Sequence, residues 1–337
     1  MKINAADRAA LLSLIERFPQ LHLVVWGDLV ADEFVYGEIA RVSREAPVLI
    51  LKERERQVVP GGGANAANNL ADLGAQVTPV GAVGNDPAGE ALLRYFRQKG
   101  VSTSRITRPR AYSTPTKSRI LGGLTHWQRQ QIVRIDREPA QALDANIRRK
   151  MVTRIAPMLS KAAGVLVSDY GYGAAAPHEV DVLRRRASRR LTPFTIDSRF
   201  ALRQYSHVTA ATPNEPELEA AYGKRIGNNV ELLHELGKKA LRRQRFQALL
   251  VTRGRDGMVL FEPRRPPRHI PIFGSDQVTD VTGAGDTVIA AFTLSLAAGA
   301  TFFQAAQLAN CAGGLVVMKR GTATVTRREL EEAIRKA

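Results

Sequence analysis

Six short apolar segments recur along the chain, and each ends in glycine or polar residues. They occupy residues 21–28, 75–86, 162–173, 191–199, 207–217 and 247–257. The helical stretches that accompany them are 87–99, 144–161, 176–190, 215–222 and 229–244. Strands that alternate with helices favour a mostly parallel sheet with helices on both faces, and such sheets bind ligands at the carboxyl ends of their strands. The sequence therefore predicts an α/β fold with three layers, α/β/α.

Two segments, 33–60 and 111–137, do not follow this pattern. They show patchy alternation of polar and apolar residues, many β-branched residues and no helical period. We expect antiparallel strands set apart from the main sheet as a small lid, and extra edge strands of the main sheet are the alternative. Because no repeat or low-complexity linker interrupts the chain, we expect residues 1–337 to form one domain with this appendage.

The formal net charge of +17 comes mostly from arginines clustered at 183–190, 238–245 and 264–268. No aromatic residues are interleaved with these runs, and no zinc-ligand spacing accompanies them. We interpret them as solvated faces of helices and loops, so nucleic acid is not an expected partner. A positive field suits phosphorylated small substrates equally well.

Cysteine usage and the longest apolar stretch bear on the compartment. The single cysteine, Cys311, cannot form an intramolecular disulfide, so a reducing compartment is expected. Residues 287–306 are apolar but contain threonine, serine and glutamine and directly follow Asp286, so they predict a buried helix instead of a membrane span. We expect a cytoplasmic protein with no membrane partner.

The turn DVTGAGDTVIAAF, at 280–292, joins two glycines to a carboxylate at the start of that helix. Glycines allow backbone amides to approach an anion, and a helix N-terminus adds partial positive charge. Asp286 in such a turn suits a general base that takes the proton from an attacking hydroxyl during phosphoryl transfer. An ordinary N-cap aspartate is the alternative.

Two further motifs carry polar residues at helix starts. PGGGANAANNLADLG, at 60–74, lacks the preceding buried strand of a dinucleotide fingerprint, and its Asn65 is suited to binding hydroxyls. A dinucleotide-binding oxidoreductase is nevertheless an alternative. In TPNEPELE, Asn214 and Glu217 have the spacing to position a hydrated Mg²⁺ ion or to form a capping box, and both readings can hold together.

From about Val24 to Val325 the ordered set of motifs resembles the ribokinase-like (PfkB) carbohydrate kinases. The resemblance implies ATP and Mg²⁺ as cofactors, Asp286 as catalytic base, and an anion hole formed by Gly283, Ala284 and Gly285. It implies further roles by position: sugar binding for Asp32, Gly62 and Asn65, Mg²⁺ and phosphate binding for Asn214 and Glu217, the nucleotide site for Thr252, Gly254, Gly257 and Asn310, and K⁺ or another monovalent cation, as in some members, for Asp280 and Thr282.

Within that family the chain is similar to the D-glycero-β-D-manno-heptose 7-phosphate kinases, through RVSREAPV, QQIVRIDRE, SDYGYG and RGTATVTRREL. This likeness implies phosphorylation of the anomeric hydroxyl of a sugar phosphate. The substrate residues that it implies are Lys117, Arg119, Arg134 and Asp169. The chain departs from the subgroup at three places: Arg44 replaces a proline, Tyr172 replaces a lysine, and DSR replaces DPK at 197–199. Arg199 offers a substitute for the lysine that is missing at position 172.

Other possibilities follow from the same motifs. A kinase for fructose, ribose or adenosine is the alternative within the family, and a non-catalytic sugar-binding protein is the alternative outside enzymes. Because no H-x-G-H motif of a nucleotidyltransferase is present, a kinase alone is expected. Lids of this type pair between subunits, and a bare edge strand favours pairing, so a homodimer through the lid is expected.

Overall fold

The computed structural model describes residues 3–123, 130–187, 192–274 and 279–337. Within these ranges the strands in chain order are β1 (His22–Gly27), β2 (Leu29–Val42), β3 (Leu49–Gly62), β4 (Gln76–Ala82), β5 (Ile106–Thr107), β6 (Thr116–Gly123), β7 (Gln130–Arg137), β8 (Gly164–Asp169), β9 (Phe194–Ser198), β10 (Ala210–Ala211), β11 (Ala248–Thr252), β12 (Met258–Phe261) and β13 (Arg268–Ile270). The α-helices are α1 (Ala5–Glu16), α2 (Gly63–Asp72), α3 (Pro87–Gln98), α4 (Ala145–Ile155), α5 (Pro177–Ala187), α6 (Glu215–Tyr222), α7 (Val230–Arg243), α8 (Ala284–Ala297), α9 (Phe302–Val316) and α10 (Arg327–Lys336).

The larger sheet has nine strands in the order β13-β12-β11-β10-β9-β8-β1-β4-β5. The neighbours in the run β11-β10-β9-β8-β1-β4-β5 all pair in parallel. Strands β12 and β13 add an antiparallel edge beside β11. The six segments predicted as strands contain β1, β4, β8, β9, β10 and β11. The prediction of a mostly parallel α/β fold is therefore confirmed, whereas the antiparallel edge was not predicted.

Helices cover both faces of this sheet because its central strands are apolar on both sides. In β1, Leu23 and Val25 pack into a core with α1, α2, α8, α9 and α10, while Val24 and Trp26 pack into a second core with α4, α5, α6 and α7. All four side chains are fully buried. This alternation is the period of two that a strand imposes, and it explains the continuous apolar run in the sequence.

A separate sheet of four strands, which we call the lid sheet, has the order β3-β2-β6-β7. It contains most of the two segments that broke the strand–helix pattern, so the alternative of extra edge strands on the main sheet is wrong. The expectation of antiparallel pairing holds for β2–β3 and β6–β7, but β2 and β6 are parallel. Direction was not predictable because it depends on which distant strand pairs with β2.

The stretch 287–306 is divided between α8 and α9, with a turn at 298–301. Helix α8 is buried along most of its length and packs against α2 and α9. Across the described ranges, no helix combines the length and apolar character needed to cross a bilayer. The prediction of a buried helix is confirmed for 287–297, but a single helix over 287–306 was wrong because the chain turns at 298–301.

Candidate active site

The start of α8 places a carboxylate beside glycine-rich backbone. Gly283 is the N-cap residue in a left-handed conformation, with φ of 78°. A β-carbon there would lie 2.5 Å from Nδ2 of Asn65, so both the backbone angle and the neighbouring amide require glycine. Asp286 lies in the first turn and is 3% exposed. Because Gly283 is the cap, the alternative that Asp286 is the N-cap residue is wrong.

Two donors hold the carboxylate of Asp286. Asn65 Nδ2 donates to Oδ2 at 2.9 Å, and the Tyr170 hydroxyl donates to Oδ1 at 2.9 Å. Asn65 Oδ1 accepts from Asn69 at 3.1 Å, and Asn69 Oδ1 accepts from the Thr287 hydroxyl at 2.9 Å. The chain of bonds thus returns to α8 and fixes Asn65, whose amide serves the carboxylate in this structure. Its assignment to sugar hydroxyls stays a prediction.

Burial raises the pKa of Asp286 to about 7, although the bonds from Asn65 and Tyr170 favour the ionised form. The negative charge of Asp32 adds to the rise, and the positive charge of Lys117 opposes it. A general base works best when its pKa lies near the working pH. The environment of Asp286 therefore meets the requirement for a base at neutral pH.

A cavity of about 630 Å³ lies in front of this carboxylate. It brings together residues from both sheets and from the turns between them. The residues predicted from sequence that line it are Asp32, Gly62, Lys117, Arg119, Arg134, Asp169, Asn214, Glu217, Thr252, Thr282, Gly283, Gly285 and Asp286. An adjoining cavity of about 360 Å³ shares Lys117, Tyr170, Arg199 and Phe200 with it.

The cations around these cavities differ in whether they have an acidic partner. Arg119 pairs with Asp32 at 2.7 Å, and Arg134 pairs with Asp136 at 2.9 Å. Within the described part of the chain, neither Lys117 nor Arg199 forms an ion pair. The two unpaired cations therefore have charge available for a ligand.

Lys117 and Arg199 both approach the ring of Tyr170. Lys117 Nζ lies 4.9 Å from the ring centroid, and the guanidinium carbon of Arg199 lies 6.0 Å from it. Burial and the charge of Arg199 lower the pKa of Lys117. Tyr172 and Arg199 line the same 360 Å³ cavity, and the substitution of Arg199 for the subgroup's lysine stays a prediction.

Asp28 and Asp169 hold the loop that carries Tyr170. Asp28 is buried and accepts from the backbone N–H groups of Tyr170, Tyr172 and Ala174 at 2.8, 3.0 and 2.9 Å. Asp169 Oδ2 accepts from Ser198 and Tyr205, both at 2.8 Å. Asp169 lines the larger cavity but is thus already bonded to the protein, and its substrate role stays a prediction.

Asn214 and Glu217 form the capping box that their spacing allowed. Asn214 Oδ1 accepts from the Glu217 N–H at 2.8 Å, and a Glu217 carboxylate oxygen accepts from the Asn214 N–H at 2.9 Å. Burial and the charge of Glu217 raise the pKa of Asp197 well above its usual range, and burial also raises that of Glu217. Two carboxylates thus approach each other in the wall of the larger cavity.

These carboxylates fit a divalent cation of the hard type. Oxygen ligands and several retained waters are what Mg²⁺ prefers, and a neighbouring positive charge would relieve the repulsion between Asp197 and Glu217. Within the described ranges no group of three or more His, Cys, Asp or Glu side chains forms a closed metal cage. A sparse, water-rich site is the arrangement that these residues allow.

A third cavity, of about 180 Å³, contains the residues predicted to bind the nucleotide. Thr252, Gly254, Gly257 and Asn310 line it, together with Ala284 and Gly285 of α8. Gly257 has φ of 76°, and a β-carbon there would lie 2.1 Å from the Ile270 carbonyl oxygen. Thr252 and Gly285 also line the 630 Å³ cavity. The two cavities therefore meet at the glycine turn before Asp286.

The pfkB family carbohydrate kinase model matches residues 21–328. The chain belongs to the pfkB family of carbohydrate kinases. This confirms the sequence prediction of a sugar kinase, and the alternative of a dinucleotide-binding oxidoreductase is wrong.

Curated relatives of this kinase carry the name bifunctional protein HldE. The chain is 36% identical to the one from Pelobacter propionicus over 329 residues, which are 97% of this chain and 66% of the relative. It is 38% identical to the one from Coxiella burnetii strain RSA 493 over 322 residues, which are 95% of this chain and 65% of the relative. The chain thus spans about 65% of the length of these relatives.

Solved structures confirm the ribokinase-like fold. The Arabidopsis thaliana ribokinase complexed with ribose and ATP matches with a TM-score of 0.70 at 20% identity, covering 93% of this chain and 98% of that one. The Escherichia coli phosphofructokinase-2 in complex with substrates and products matches with a TM-score of 0.72 at 17% identity, covering 94% and 98%. At these identities the likeness concerns the fold.

Asp280 and Thr282, predicted to bind a monovalent cation in the kinase, lie just before the glycine turn. Asp280 Oδ1 accepts from the Thr282 N–H at 2.9 Å, and Oδ2 accepts from the Gly321 N–H at 3.0 Å. The carboxylate therefore ties the turn to the loop before α10. A cation role for these two residues stays a prediction.

Sequence reasoning missed two residues of the kinase site, Tyr170 and Asp197. Both lie at the carboxyl ends of parallel strands, Tyr170 directly after β8 and Asp197 within the end of β9. That position is where ligands bind in such sheets, so it was the available signal. The motif SDYGYG marked the segment but not which of its side chains turns toward Asp286.

Proposed function

We propose that this kinase transfers the γ-phosphoryl group of ATP to the anomeric hydroxyl of D-glycero-β-D-manno-heptose 7-phosphate, a step in making ADP-heptose. One observation carries the proposal. A buried carboxylate with a pKa of about 7 and two cations without ion-pair partners line the same connected cavities. The carboxylate suits an acceptor hydroxyl, and the cations suit a phosphate elsewhere on the same sugar.

In this proposal Asp286 removes the proton from the acceptor hydroxyl as it attacks the phosphoryl group. The N–H groups of the turn at 283–286 and the N-terminus of α8 stabilise negative charge on the group in transfer. These donors are fixed before the reaction by the cap at Gly283 and by the bonds around Asn65. Fixed donors need no reorganisation in the transition state.

The cofactors proposed are ATP and Mg²⁺, the ATP bound along the 180 Å³ cavity with its phosphates toward the glycine turn. Asp197 and Glu217 would hold the magnesium ion through water. When bound, Mg²⁺ neutralises phosphate charge and orients the terminal phosphoryl group. Asp280 and Thr282 are proposed to bind K⁺, because their turn adjoins this site.

The phosphate of the acceptor is proposed to bind Lys117 and Arg199. This changes the emphasis of the sequence prediction, because Arg119 and Arg134 already have acidic partners. A neutral acceptor such as ribose or adenosine would bring no anion to either cation. Their charges would then act only on carboxylates beyond ion-pair distance, among them Asp286 for Lys117, and Asp197 and Glu217 for Arg199. That consideration favours a sugar phosphate over the alternatives within the family.

We also propose a cytoplasmic homodimer that pairs through the lid sheet. Strand β7 is exposed along its whole length, and its Ile132, Val133 and Ile135 are 41%, 46% and 49% exposed. Apolar residues on an open strand favour pairing with a second copy. Sedimentation of wild type and Ile135→Asp tests this, and a monomeric wild type would contradict it.

ADP release over a panel of acceptors tests the substrate. The panel contains D-glycero-D-manno-heptose 7-phosphate, the same heptose without phosphate, fructose 6-phosphate, ribose and adenosine, with Asp286→Asn as the background control. Heptose 7-phosphate should give a kcat/KM at least about 100-fold above that of unphosphorylated heptose, because two charge-assisted contacts are lost with the phosphate. Equal values for the two heptoses would overturn the proposal.

A further inference from the structure

We infer that Tyr170 is a positioning residue for the transfer: its hydroxyl orients the Asp286 carboxylate toward the acceptor. The inference rests on the proposed role of Asp286 as base, and it concerns a residue that no motif assigned. Tyr170 acts through Asp286 in this view and need not contact the group in transfer.

The first support is the arrangement around the carboxylate. Tyr170 donates to Oδ1 and Asn65 donates to Oδ2, each at 2.9 Å, so each oxygen of Asp286 has one donor from a different element. Two such bonds prevent the carboxylate from rotating about its last bond. A carboxylate oxygen accepts two hydrogen bonds. Oδ1 therefore keeps a lone pair for the acceptor hydroxyl while Tyr170 holds it.

The second support is that Tyr170 is itself fixed at both ends. Its backbone N–H donates to Asp28 at 2.8 Å, which anchors the loop after β8. Its ring packs against the backbone of Gly62, where a β-carbon would approach ring carbons to 3.2 Å. A side chain constrained in this way delivers its hydroxyl to one place. Glycine at position 62 is required by its left-handed φ of 52° and by Val30, 2.9 Å from such a β-carbon, and the Tyr170 ring adds to this requirement.

The third support is that this phenol stays protonated. Burial and the negative charge of Asp286 raise the pKa of Tyr170 well above its usual range, so it remains a donor at every working pH. The other charged groups that act on Asp286 are Asp32 from β2 and Lys117 from β6, and Asp197 from β9 interacts with it as well. Asp32, Lys117 and Asp197 act on this carboxylate only through their charge, whereas Tyr170 forms a hydrogen bond with it, as Asn65 does.

Kinetics of Tyr170→Phe over pH 5.5–9 test the inference, with the acceptor that the panel identifies. Loss of the donor should destabilise ionised Asp286, so the acid limb of kcat/KM should move to higher pH. We expect kcat at pH 7 to fall about 10-fold and to recover toward pH 9, with KM for ATP unchanged. This fall is smaller than the loss of about 10²–10⁴-fold for removal of a general base, because Asp286 itself is still present. An unchanged limb together with an unchanged kcat would overturn the inference.

The matched control is Tyr205→Phe. It removes another phenol that donates to a buried carboxylate, that of Asp169 at 2.8 Å, without touching Asp286. Its acid limb should coincide with that of wild type. A shift equal to that of Tyr170→Phe would show that loss of any buried phenol produces the effect, and this too would overturn the inference.

Two further measurements keep the test independent of the substrate and of folding. Carbon-13 NMR of labelled aspartate, with Asp286 assigned by its loss in Asp286→Asn, gives the pKa of the base in wild type and Tyr170→Phe without any acceptor. If no sugar in the panel is phosphorylated, the proposed function fails, and this shift still decides the inference. Should Tyr170→Phe not fold, 3-fluorotyrosine at position 170 keeps the shape, and its more acidic hydroxyl should move the limb to lower pH.

Discussion

The body of the molecule and its lid sheet contribute to the site in opposite ways. Asp286 is 3% exposed, and its two partners come from α2 and from the loop after β8. Lys117 comes from β6, whose neighbour β7 is exposed throughout. The body supplies a fixed group in a low-dielectric surrounding, which a base needs. The lid sheet supplies a half-buried cation on β6, beside the exposed strand β7.

Replacement of Asp286, the proposed base, should have the largest effect. It tests what the body of the molecule contributes to the site. Asp286→Asn should lower kcat by about 1000-fold, since general-base contributions are of order 10²–10⁴. ATP affinity by calorimetry should change little, because the nucleotide cavity keeps its own lining. Turnover within 10-fold of wild type would remove Asp286 from this role.

Removal of the two unpaired cations should have the next largest effect. Lys117 on β6 tests the lid sheet, and Arg199, which directly follows β9, tests the body. Lys117→Ala or Arg199→Ala should raise KM for the phosphorylated acceptor by about 10–100-fold, the equivalent of one charge-assisted hydrogen bond. The matched control is Arg134→Ala, whose side chain is 47% exposed and paired with Asp136. It should change KM by less than about 3-fold. Similar losses for phosphorylated and neutral acceptors would contradict the assignment.

The pH profile of the wild type sharpens the comparison further. Asp286 must be ionised to accept a proton, and its pKa is raised to about 7. The value of kcat/KM should therefore fall about 10-fold per pH unit below pH 7 and level off above it. A profile that stays flat down to pH 5 would show that burial does not perturb this group.

The smallest expected effect is on stability. Between pH 3.8 and about 7 the folded state binds the Asp286 proton more tightly than the unfolded state does, so the free energy of unfolding falls as pH rises through this window. The Asp286→Asn variant does not lose this unfolding free energy, because its amide does not titrate. At pH 8 its melting temperature should exceed that of wild type, by about 2–4 °C for each kcal/mol of unfolding free energy that the ionisation of Asp286 costs the wild type. The difference should vanish near pH 4.

A lid carboxylate serves as the contrast to this stability measurement. The Glu38 side chain is 37% exposed and pairs with Arg54 on the neighbouring strand. Glu38→Gln should leave the melting temperature nearly unchanged at both pH values. Equal shifts for the two variants would mean that the two regions do not differ in how they hold charge.

The fold was largely predictable because its signals are local. Continuous apolar runs followed by polar residues mark buried parallel strands, and six of the nine strands of the main sheet arose in this way. Strands β12 and β13 lack a helix between them and so lacked that signal. The lid strands showed alternation, but the parallel pairing of β2 with β6 depends on a contact between residues 85 positions apart.

The site was predictable only in part. The glycine turn before Asp286 combines a backbone of the kind that binds anions with a carboxylate within four residues, so sequence alone indicated it. The bonds that fix Asp286 join it to Asn65 and Tyr170 across 221 and 116 residues. Which cations have acidic partners depends likewise on carboxylates on neighbouring strands, and so Lys117 and Arg119 were indistinguishable in the sequence.

The three amide donors collected by Asp28 have a consequence for how this enzyme can evolve. They belong to the main chain, so the anchor does not depend on the side chain of Tyr172, whereas Gly171 and Gly173 have left-handed φ angles of 85° and 91° that favour glycine. Residues such as Tyr172 can therefore be exchanged while the loop keeps its path. A substitution at Tyr172 would therefore change the lining of the 360 Å³ cavity while the three bonds that anchor the Tyr170 loop remain.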